Sequence, residues 1–306
     1  MWPKRRGKVE QLATALKDFS ENQRNLPGVV ADATRETLAI QMVASLRRLD
    51  YTDNIRSRDL SPNRADPRSP MFDPERAAVW HARAGRVDEA VWLVFLATHF
   101  GKHGVHGWRL VRDVYSGLGD GIWTWERVSS DPAAFRSWLR ANQHRVGGGF
   151  GNHRKYESLN PDSPAGTATV VQSYIDWIGP GRSHTKRFVD LVRAGGNDPQ
   201  SIFDHFYNSM RVARFGRLGK LDFLALLGRL ELAPISPGSA YLVGATGALR
   251  GARLLFAGSP TAGLKEGILD SWLCELDAEL DVGMQVMEDS LCNWQKSPAR
   301  FIHFRG

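Results

Sequence analysis

The residues best suited to phosphate binding lie near the C-terminus, where a glycine turn precedes a helix. Gly244 and Gly247 stand in the turn sequence GATG, and Arg250 and Arg253 follow it, one helical turn apart. A glycine turn that leads into a helix leaves backbone N–H groups unpaired, and these groups favour phosphate. The two arginines could add charge-assisted contacts to the same phosphate, or they could form an ordinary solvated helix face.

Asp270 is the candidate catalytic carboxylate. It lies 23 residues after Gly247 and precedes a helical run. A carboxylate at this place could act as a general base or could stabilise a cationic centre electrostatically. The alternative interpretation is that Asp270 is the N-cap of its helix, a position that aspartate favours.

A second candidate site is the glycine-rich loop that contains FGNHRKYESL, between residues 147 and 164. Arg154 and Lys155 are predicted to bind phosphate, because closely spaced cations neutralise phosphate charge. His153 could donate a proton to a departing phosphate, since histidine exchanges protons readily near neutral pH. The alternative is a basic surface loop that touches a nucleic-acid backbone without any chemistry.

Five polar and aromatic residues are predicted to line a pocket for a nucleobase: Asn152, Tyr156, Tyr174, Asp176 and Trp177. Aromatic rings can stack on a base that has been extruded from a duplex. The alternative is that Tyr174 and Trp177 belong to the hydrophobic core, where large aromatic side chains often pack.

The elements that must position these residues are helical. Apolar residues recur at helical spacing along most of the chain, and the alternation typical of strands is scarce. The sequence therefore predicts an all-α protein. AVWLVFLATHF is apolar on nearly all sides, which predicts a central buried helix. Asp73-Pro74 predicts a capped helix start, and residues 50–70 are predicted to form a loop.

Composition narrows the class of protein. The 306 residues include 40 Lys and Arg against 33 Asp and Glu, and the net charge of +7 suits a polyanionic partner or simply a basic soluble protein. Cys274 and Cys292 show no metal-ligand spacing, so no metal and no cofactor are predicted, and the thiols indicate a cytoplasmic protein. No apolar run reaches the ~18 residues of a membrane span.

The glycine turn followed by Arg250 and Asp270 resembles the helix-hairpin-helix DNA glycosylases. In that superfamily a Gly-x-Gly hairpin grips the DNA backbone, a Lys can begin the second helix, and an Asp further along does the chemistry. GATG is one residue longer than the usual hairpin, and Arg250 cannot form the Schiff base of a Lys, which argues against lyase chemistry. The resemblance implies a two-lobed helical fold, with an N-terminal segment 1–50, a domain 51–306 and a helix-hairpin-helix region near 218–257.

The wider chain resembles the alpha-glutamyl/putrescinyl thymine pyrophosphorylase family in its bacterial clade. The resemblance is carried by DPRSPMFDPERAAVWHARAGRVDEAVWLVFLATHFG, FGNHRKYES and SYIDWIGPGRSH, and it covers roughly residues 50 to 306. It implies a transferase for thymine hypermodification, which replaces the pyrophosphate on 5-pyrophosphoryloxymethyl-uracil in DNA by an amine. The implied partners are DNA, of modified phage or bacterial origin, and an amine that the sequence does not identify.

Under this interpretation Asp270 and His153 are the catalytic residues. Two other functions stay open from the sequence. One is a helix-hairpin-helix glycosylase for a modified base, with Asp270 acting on the anomeric carbon. The other is a non-catalytic protein that binds modified nucleic acid.

Overall fold

The computed structural model describes residues 2–303, and within this range it contains fourteen α-helices and no β-strand. Helix accounts for 63% of the chain, so the predicted all-α class is confirmed. None of these helices is both long enough and apolar enough to cross a lipid bilayer.

In chain order the α-helices are α1 (Arg6–Asn22), α2 (Asp32–Ser57), α3 (Pro74–Arg83), α4 (Val87–Phe100), α5 (Arg109–Tyr115), α6 (Trp125–Ser130), α7 (Pro132–Asn142), α8 (Thr167–Ile178), α9 (His184–Gly195), α10 (Pro199–Ser209), α11 (Arg217–Arg229), α12 (Gly247–Ala257), α13 (Glu266–Leu280) and α14 (Met284–Trp294). Short 3-10 turns lie between several of them.

The local capping signal places the start of α3 correctly. The Asp73 carboxylate accepts hydrogen bonds from the backbone N–H groups of Glu75 and Arg76, as its predicted role of N-cap requires. Part of the predicted loop is helical, and one short helix has no counterpart in the sequence prediction. Residues 50–57 belong to α2 rather than to a loop, and the six-residue helix α6, capped by the Thr124 hydroxyl, is too short to show a periodic pattern.

The chain divides into two compact units. Among the described residues, the first comprises 2–51 and 237–303, and the second comprises Thr52–Ser236. The resemblance implies a division into residues 1–50 and 51–306, whereas the C-terminal helices α12, α13 and α14 belong to the same unit as the N-terminal segment.

The core of the first unit is built from leucines of α1, α12 and α13, with Met287 and Trp294 of α14. Trp294 is fully buried, and its Nε1 donates a hydrogen bond to the carbonyl oxygen of Thr34 at 3.1 Å. At the surface, Arg24 contacts Glu275 at 2.7 Å, which links the end of α1 to α13.

Two glycines allow α12 to pack closely against α14. A Cβ atom on Gly251 would lie 2.3 Å from the carbonyl oxygen of Leu291, and one on Gly247 would lie 2.4 Å from Sγ of Cys292. Neither distance is compatible with a side chain, because interiors are close-packed and the Leu291 neighbour is backbone. This packing accounts for the glycine at position 247 without any ligand.

The second unit is organised around α4. Every residue from Ala90 to Phe100 is buried, which confirms the prediction of a central helix. Trp92 donates through Nε1 to the carbonyl oxygen of Trp123 at 2.9 Å, and the Phe95 ring stacks on Tyr174 with centroids 3.7 Å apart. A helix buried on all sides has no solvent face, so each neighbouring element is held against it by apolar contact.

Replacing Gly251 with Ala should destabilise the protein by about 1–3 kcal/mol, because the added methyl group collides with the α14 backbone. Gly267→Ala is the matched control: Gly267 is also helical, but nothing lies within 4 Å of its added Cβ. That change should be neutral or stabilising, since alanine is the better helix former. Urea unfolding of both variants checks the contrast, and equal stabilities would contradict it.

Candidate functional site

The glycine turn of the first unit lies at the surface. Gly244 has φ +76°, a left-handed conformation that glycine adopts without strain, and Val243 beside it is 71% exposed. Helix α12 begins at Gly247 and has no side-chain cap at Thr246. The first N–H groups of any helix lack intrahelical acceptors, and here no side chain of Thr246 replaces them. Arg250 is exposed one turn further on.

Arg253 is used differently from Arg250. Its Nε and Nη2 donate to the carbonyl oxygen of Leu264 at 3.3 and 3.2 Å, and Nη2 lies 3.6 Å from the Glu266 carboxylate. These contacts hold the connection between α12 and α13. The two arginines thus have separate environments, although the sequence placed them on one helix face.

Asp270 lies inside α13, which begins at Glu266, so the interpretation of Asp270 as an N-cap is wrong. Its Oδ2 accepts a hydrogen bond from the backbone N–H of Leu242 at 3.0 Å. Leu242 is buried just before Gly244, and its carbonyl oxygen accepts from the Ala245 N–H at 2.9 Å. The candidate catalytic carboxylate therefore contacts the buried residue Leu242, two residues before the glycine turn.

The expected helix-hairpin-helix region spans the two units. Helix α11 belongs to the second unit and α12 to the first, and residues 230–246 connect them. A tight hairpin joins its helices through a few residues. Of the expected helix-hairpin-helix region, the structure therefore shows the glycine turn that precedes α12.

In the second unit, a backbone hydrogen bond joins the loop FGNHRKYES to the end of α4. The Gly151 N–H donates to the carbonyl oxygen of Phe100 at 2.8 Å. Arg154 is 8% exposed, and its Nη2 lies 3.4 Å from the Asp222 carboxylate of α11 while the guanidinium is 5.5 Å from the Phe215 ring centroid. Arg154 therefore anchors the loop from inside rather than presenting its charge to solvent.

Four other residues of this loop are exposed to solvent. Asn152, His153 and Lys155 are exposed, and Tyr156 is 79% exposed. Lys155 Nζ lies 5.1 Å from the centroid of the Tyr156 ring, within cation–π range. The buried arginine thus supports a surface segment that carries a cation, an imidazole and an aromatic ring.

The predicted base-pocket residues do not share one environment. Tyr174 is fully buried and Trp177 is 6% exposed, so both lie in the core of the second unit. Asp176 is exposed and accepts a hydrogen bond from Gln172 at 2.9 Å on the same helix. Of the five predicted residues, Asn152, Tyr156 and Asp176 are exposed.

Tyr174 takes part in a buried hydrogen-bonded chain. Its hydroxyl lies 2.8 Å from Nε2 of His184, and Nδ1 of His184 lies 3.2 Å from the Asp88 carboxylate. Burial lowers the pKa of His184, an effect that Asp88 opposes. Burial also raises the pKa of Tyr174. A neutral imidazole can donate to Asp88 and accept from Tyr174, so the chain joins α4, α8 and α9.

The sequence analysis does not predict a group of charged residues around Glu75 in the second unit, which we call the charged centre. Burial, followed by the charge of Asp73, raises the pKa of the Glu75 carboxyl from 4.5 to about 7, although Arg229, Lys102 and Arg76 act in the opposite direction. Arg229 donates through Nη2 to the Thr52 hydroxyl at 3.1 Å.

The sequence indicates which helices carry Glu75 and Arg229, but not that the two residues lie near each other. Glu75 lies in the first turn of α3, directly after the cap motif, and Arg229 ends α11. Residues so far apart in the chain meet only through folding, and a single sequence contains no information on that contact.

Among the described residues, no group of three or more His, Cys, Asp or Glu side chains could hold a metal ion. His99 is buried, and its Nε2 lies 3.0 Å from the Thr167 hydroxyl. His103 accepts from the N–H groups of Val105 and His106.

These features define the class as an all-helical protein that exposes a glycine turn and a basic aromatic loop. The profile of alpha-glutamyl/putrescinyl thymine pyrophosphorylase clade 3 matches residues 33–306. The chain belongs to this family, which implies an enzyme acting on thymine in DNA. No curated protein and no solved structure matches the chain. The glycosylase alternative receives no support from the family match.

Glu75→Gln should stabilise the protein at pH 8 and have a smaller effect at pH 5. The folded pKa of Glu75 lies above its ordinary value, so the folded state holds a proton that the unfolded state releases between pH 4.5 and about 7. The stability of the wild-type protein should therefore fall as pH rises through this window, and glutamine removes that loss. Thermal melts across the window measure it, with the exposed Glu126→Gln as control. A pH-independent difference would contradict the assignment.

Proposed function

We propose that the protein replaces the pyrophosphate of 5-pyrophosphoryloxymethyl-uracil in DNA with an amine. The observation that carries this proposal is the match of residues 33–306 to clade 3 of the thymine pyrophosphorylases. The net charge of +7 is consistent with DNA as the partner. The geometry supports the proposal at two places, one in each unit.

In the first unit, the exposed turn at Gly244 and the start of α12 would bind a DNA phosphate. Backbone N–H groups at a helix start favour an anion, and Arg250 adds a positive charge at the surface. No hydrogen bond or ion pair joins the Arg250 guanidinium to another described residue, so it is available to a phosphate. Arg253 is excluded from this role by its contacts with Leu264 and Glu266.

In the second unit, the exposed segment from Asn152 to Tyr156 would contact DNA as well. Lys155 supplies charge, and Tyr156 offers a ring face on which a base can stack. His153 would give a proton to phosphate oxygen as the leaving group develops charge. The buried contact of Arg154 with Asp222 keeps the segment in place.

The reaction itself is a displacement at the exocyclic carbon of the modified uracil. The amine nitrogen forms a bond to that carbon, the carbon–oxygen bond breaks, and pyrophosphate leaves with the electron pair. The nitrogen then loses a proton. We assign this proton transfer to the Asp270 carboxylate, which already contacts the glycine turn through Leu242.

Arg250→Ala should weaken DNA binding and reduce the salt slope of log K by about 0.9, the loss expected for one phosphate contact. Folding should be unaffected because Arg250 is exposed. Arg253→Ala is the matched control one turn away, and it should lower thermal stability while leaving the salt slope unchanged. Fluorescence anisotropy with a short duplex at several salt concentrations gives both values. An unchanged slope in the Arg250 variant would exclude this surface as the DNA contact.

Asp270→Asn should lower turnover by about 10²-fold or more, because an amide cannot take up the proton of the amine. Folding should be nearly intact, since the amide oxygen can still accept from Leu242 N–H. The measurement is pyrophosphate release from DNA containing the modified uracil, with a panel of amines, beside a thermal melt.

Asp270→Ala is the companion variant and should lose both turnover and stability, because the N–H of Leu242 is then left without its acceptor. If Asp270→Asn turns over like the wild-type protein, the carboxylate only fastens the glycine turn and the base must be sought elsewhere.

A further inference from the structure

A pocket of about 600 Å³ opens on the surface of the second unit. This volume is within the range of sites that bind small molecules. Its wall combines the end of α3, the start of α4, the helix α6 and the start of α9, and neither the glycine turn nor the basic loop contributes to it. The lining carries charges of both signs, on Arg86, Arg182, Asp88, Glu89 and Glu126.

Hydrogen bonds hold the wall of this pocket together. The backbone N–H of Trp125 donates to Oε2 of Glu89 at 2.8 Å, and the indole Nε1 of the same residue donates to the carbonyl oxygen of Arg182 at 2.8 Å. The backbone N–H of His184 donates to Oδ1 of Asp88 at 2.6 Å. The elements that carry the charged groups are therefore fixed before a ligand arrives, which limits the entropy lost on binding.

Arg182 has a backbone conformation that is costly for an arginine. Its φ angle is +47°, in the left-handed region that favours glycine. Strained residues of this kind cluster at functional sites. Arg182 is exposed, and no hydrogen bond or ion pair joins its guanidinium to another described residue. The guanidinium lines the pocket and is available to an anionic group of a ligand.

Asp88 supplies the opposite charge. Burial acts to raise the pKa of Asp88, but the hydrogen bonds and the charge of His184 outweigh it and lower the pKa. The carboxylate is therefore ionised at neutral pH, and its side chain is 40% exposed. A carboxylate has about four lone-pair positions, so Asp88 can accept from an ammonium group while it holds His184.

Charges of both signs in one pocket restrict the class of ligand. A simple anion would be repelled by Asp88 and Glu89, and a diamine would be repelled by Arg86 and Arg182. An amino acid carries an ammonium group and a carboxylate, so it complements both sets of charges. A guanidinium also matches the two oxygen atoms of a carboxylate.

We propose that this pocket binds an amino acid, with a carboxylate of the ligand at Arg182 and its ammonium group at Asp88. The inference rests on the proposed function only in one respect, that the bound amino acid is then the amine co-substrate. In that case the co-substrate is an amino acid rather than a diamine. Binding itself is tested without any turnover.

The test is isothermal titration of the intact protein with L-glutamate. We expect Arg182→Gln to lower the affinity about tenfold, the effect typical of losing one charge-assisted contact. Glutarate lacks the ammonium group and 1,4-diaminobutane lacks a carboxylate, so each should bind the wild-type protein about tenfold more weakly than L-glutamate. No binding of L-glutamate, or equal binding of either analogue, would overturn the proposal.

Arg182→Gly separates the strain from the binding. Glycine adopts a φ of +47° freely, so this variant should keep or raise the melting temperature while it loses affinity as Arg182→Gln does. A lower melting temperature would show that the arginine is kept for stability, and unchanged affinity would show that it binds no ligand. Either result would overturn the proposal.

The matched control is Arg214→Gly. Arg214 also has a positive φ angle, +64°, but its Nε lies 3.0 Å from the Glu157 carboxylate, and it does not line the pocket. This variant should bind L-glutamate like the wild-type protein. A loss of affinity equal to that of Arg182→Gly would contradict the assignment of the carboxylate to Arg182.

Turnover distinguishes failure of this inference from failure of the proposed function. If L-glutamate binds through Arg182 but no amine releases pyrophosphate from the modified DNA, the site stands and the proposed function fails. If an amine releases pyrophosphate while L-glutamate does not bind, the proposed function stands and the inference fails.

Discussion

The burial of α4 from Ala90 to Phe100 is the constraint on which the second unit depends. Backbone groups in the buried part find their partners within the protein, and side chains of the partly exposed first turn bond to neighbouring helices. At its start, Asp88 accepts from the backbone of His184, and Glu89 accepts from the N–H of Trp125 at 2.8 Å and from the hydroxyl of Tyr115. These contacts bring α5, α6 and α9 around one helix end.

The other end of α4 organises the basic loop. The carbonyl oxygen of Phe100 accepts a hydrogen bond from the N–H of Gly151. The His99 ring contacts the hydroxyl of Thr167 at the start of α8. That hydroxyl donates to the carbonyl oxygen of Ser158 at 2.9 Å. The loop is thus held at several points by buried groups while its tip stays exposed. A rigid support for exposed polar residues limits the entropy lost when they bind a ligand.

In the first unit, the features that suggested phosphate binding also have structural roles. Gly247 permits the close approach of α12 to α14, and Asp270 fastens the turn through Leu242. A residue can serve packing and chemistry together, so these contacts do not exclude a function. They do mean that loss of activity in a variant has to be separated from loss of stability. Asparagine at position 270 makes that separation because it keeps an acceptor.

The sequence by itself determined the helical class, the capped start of α3 and the buried character of α4, because periodicity and capping are local properties that a single chain displays. It also marked the basic loop and the carboxylate at position 270. Tertiary structure alone decided which of these side chains face solvent. Arg154 and Tyr174 are buried although Lys155 and Tyr156 are exposed, and the charged centre of Glu75 and Arg229 joins segments distant in the chain. Burial and long-range contacts depend on how helices pack, and that information is not local to any stretch of sequence.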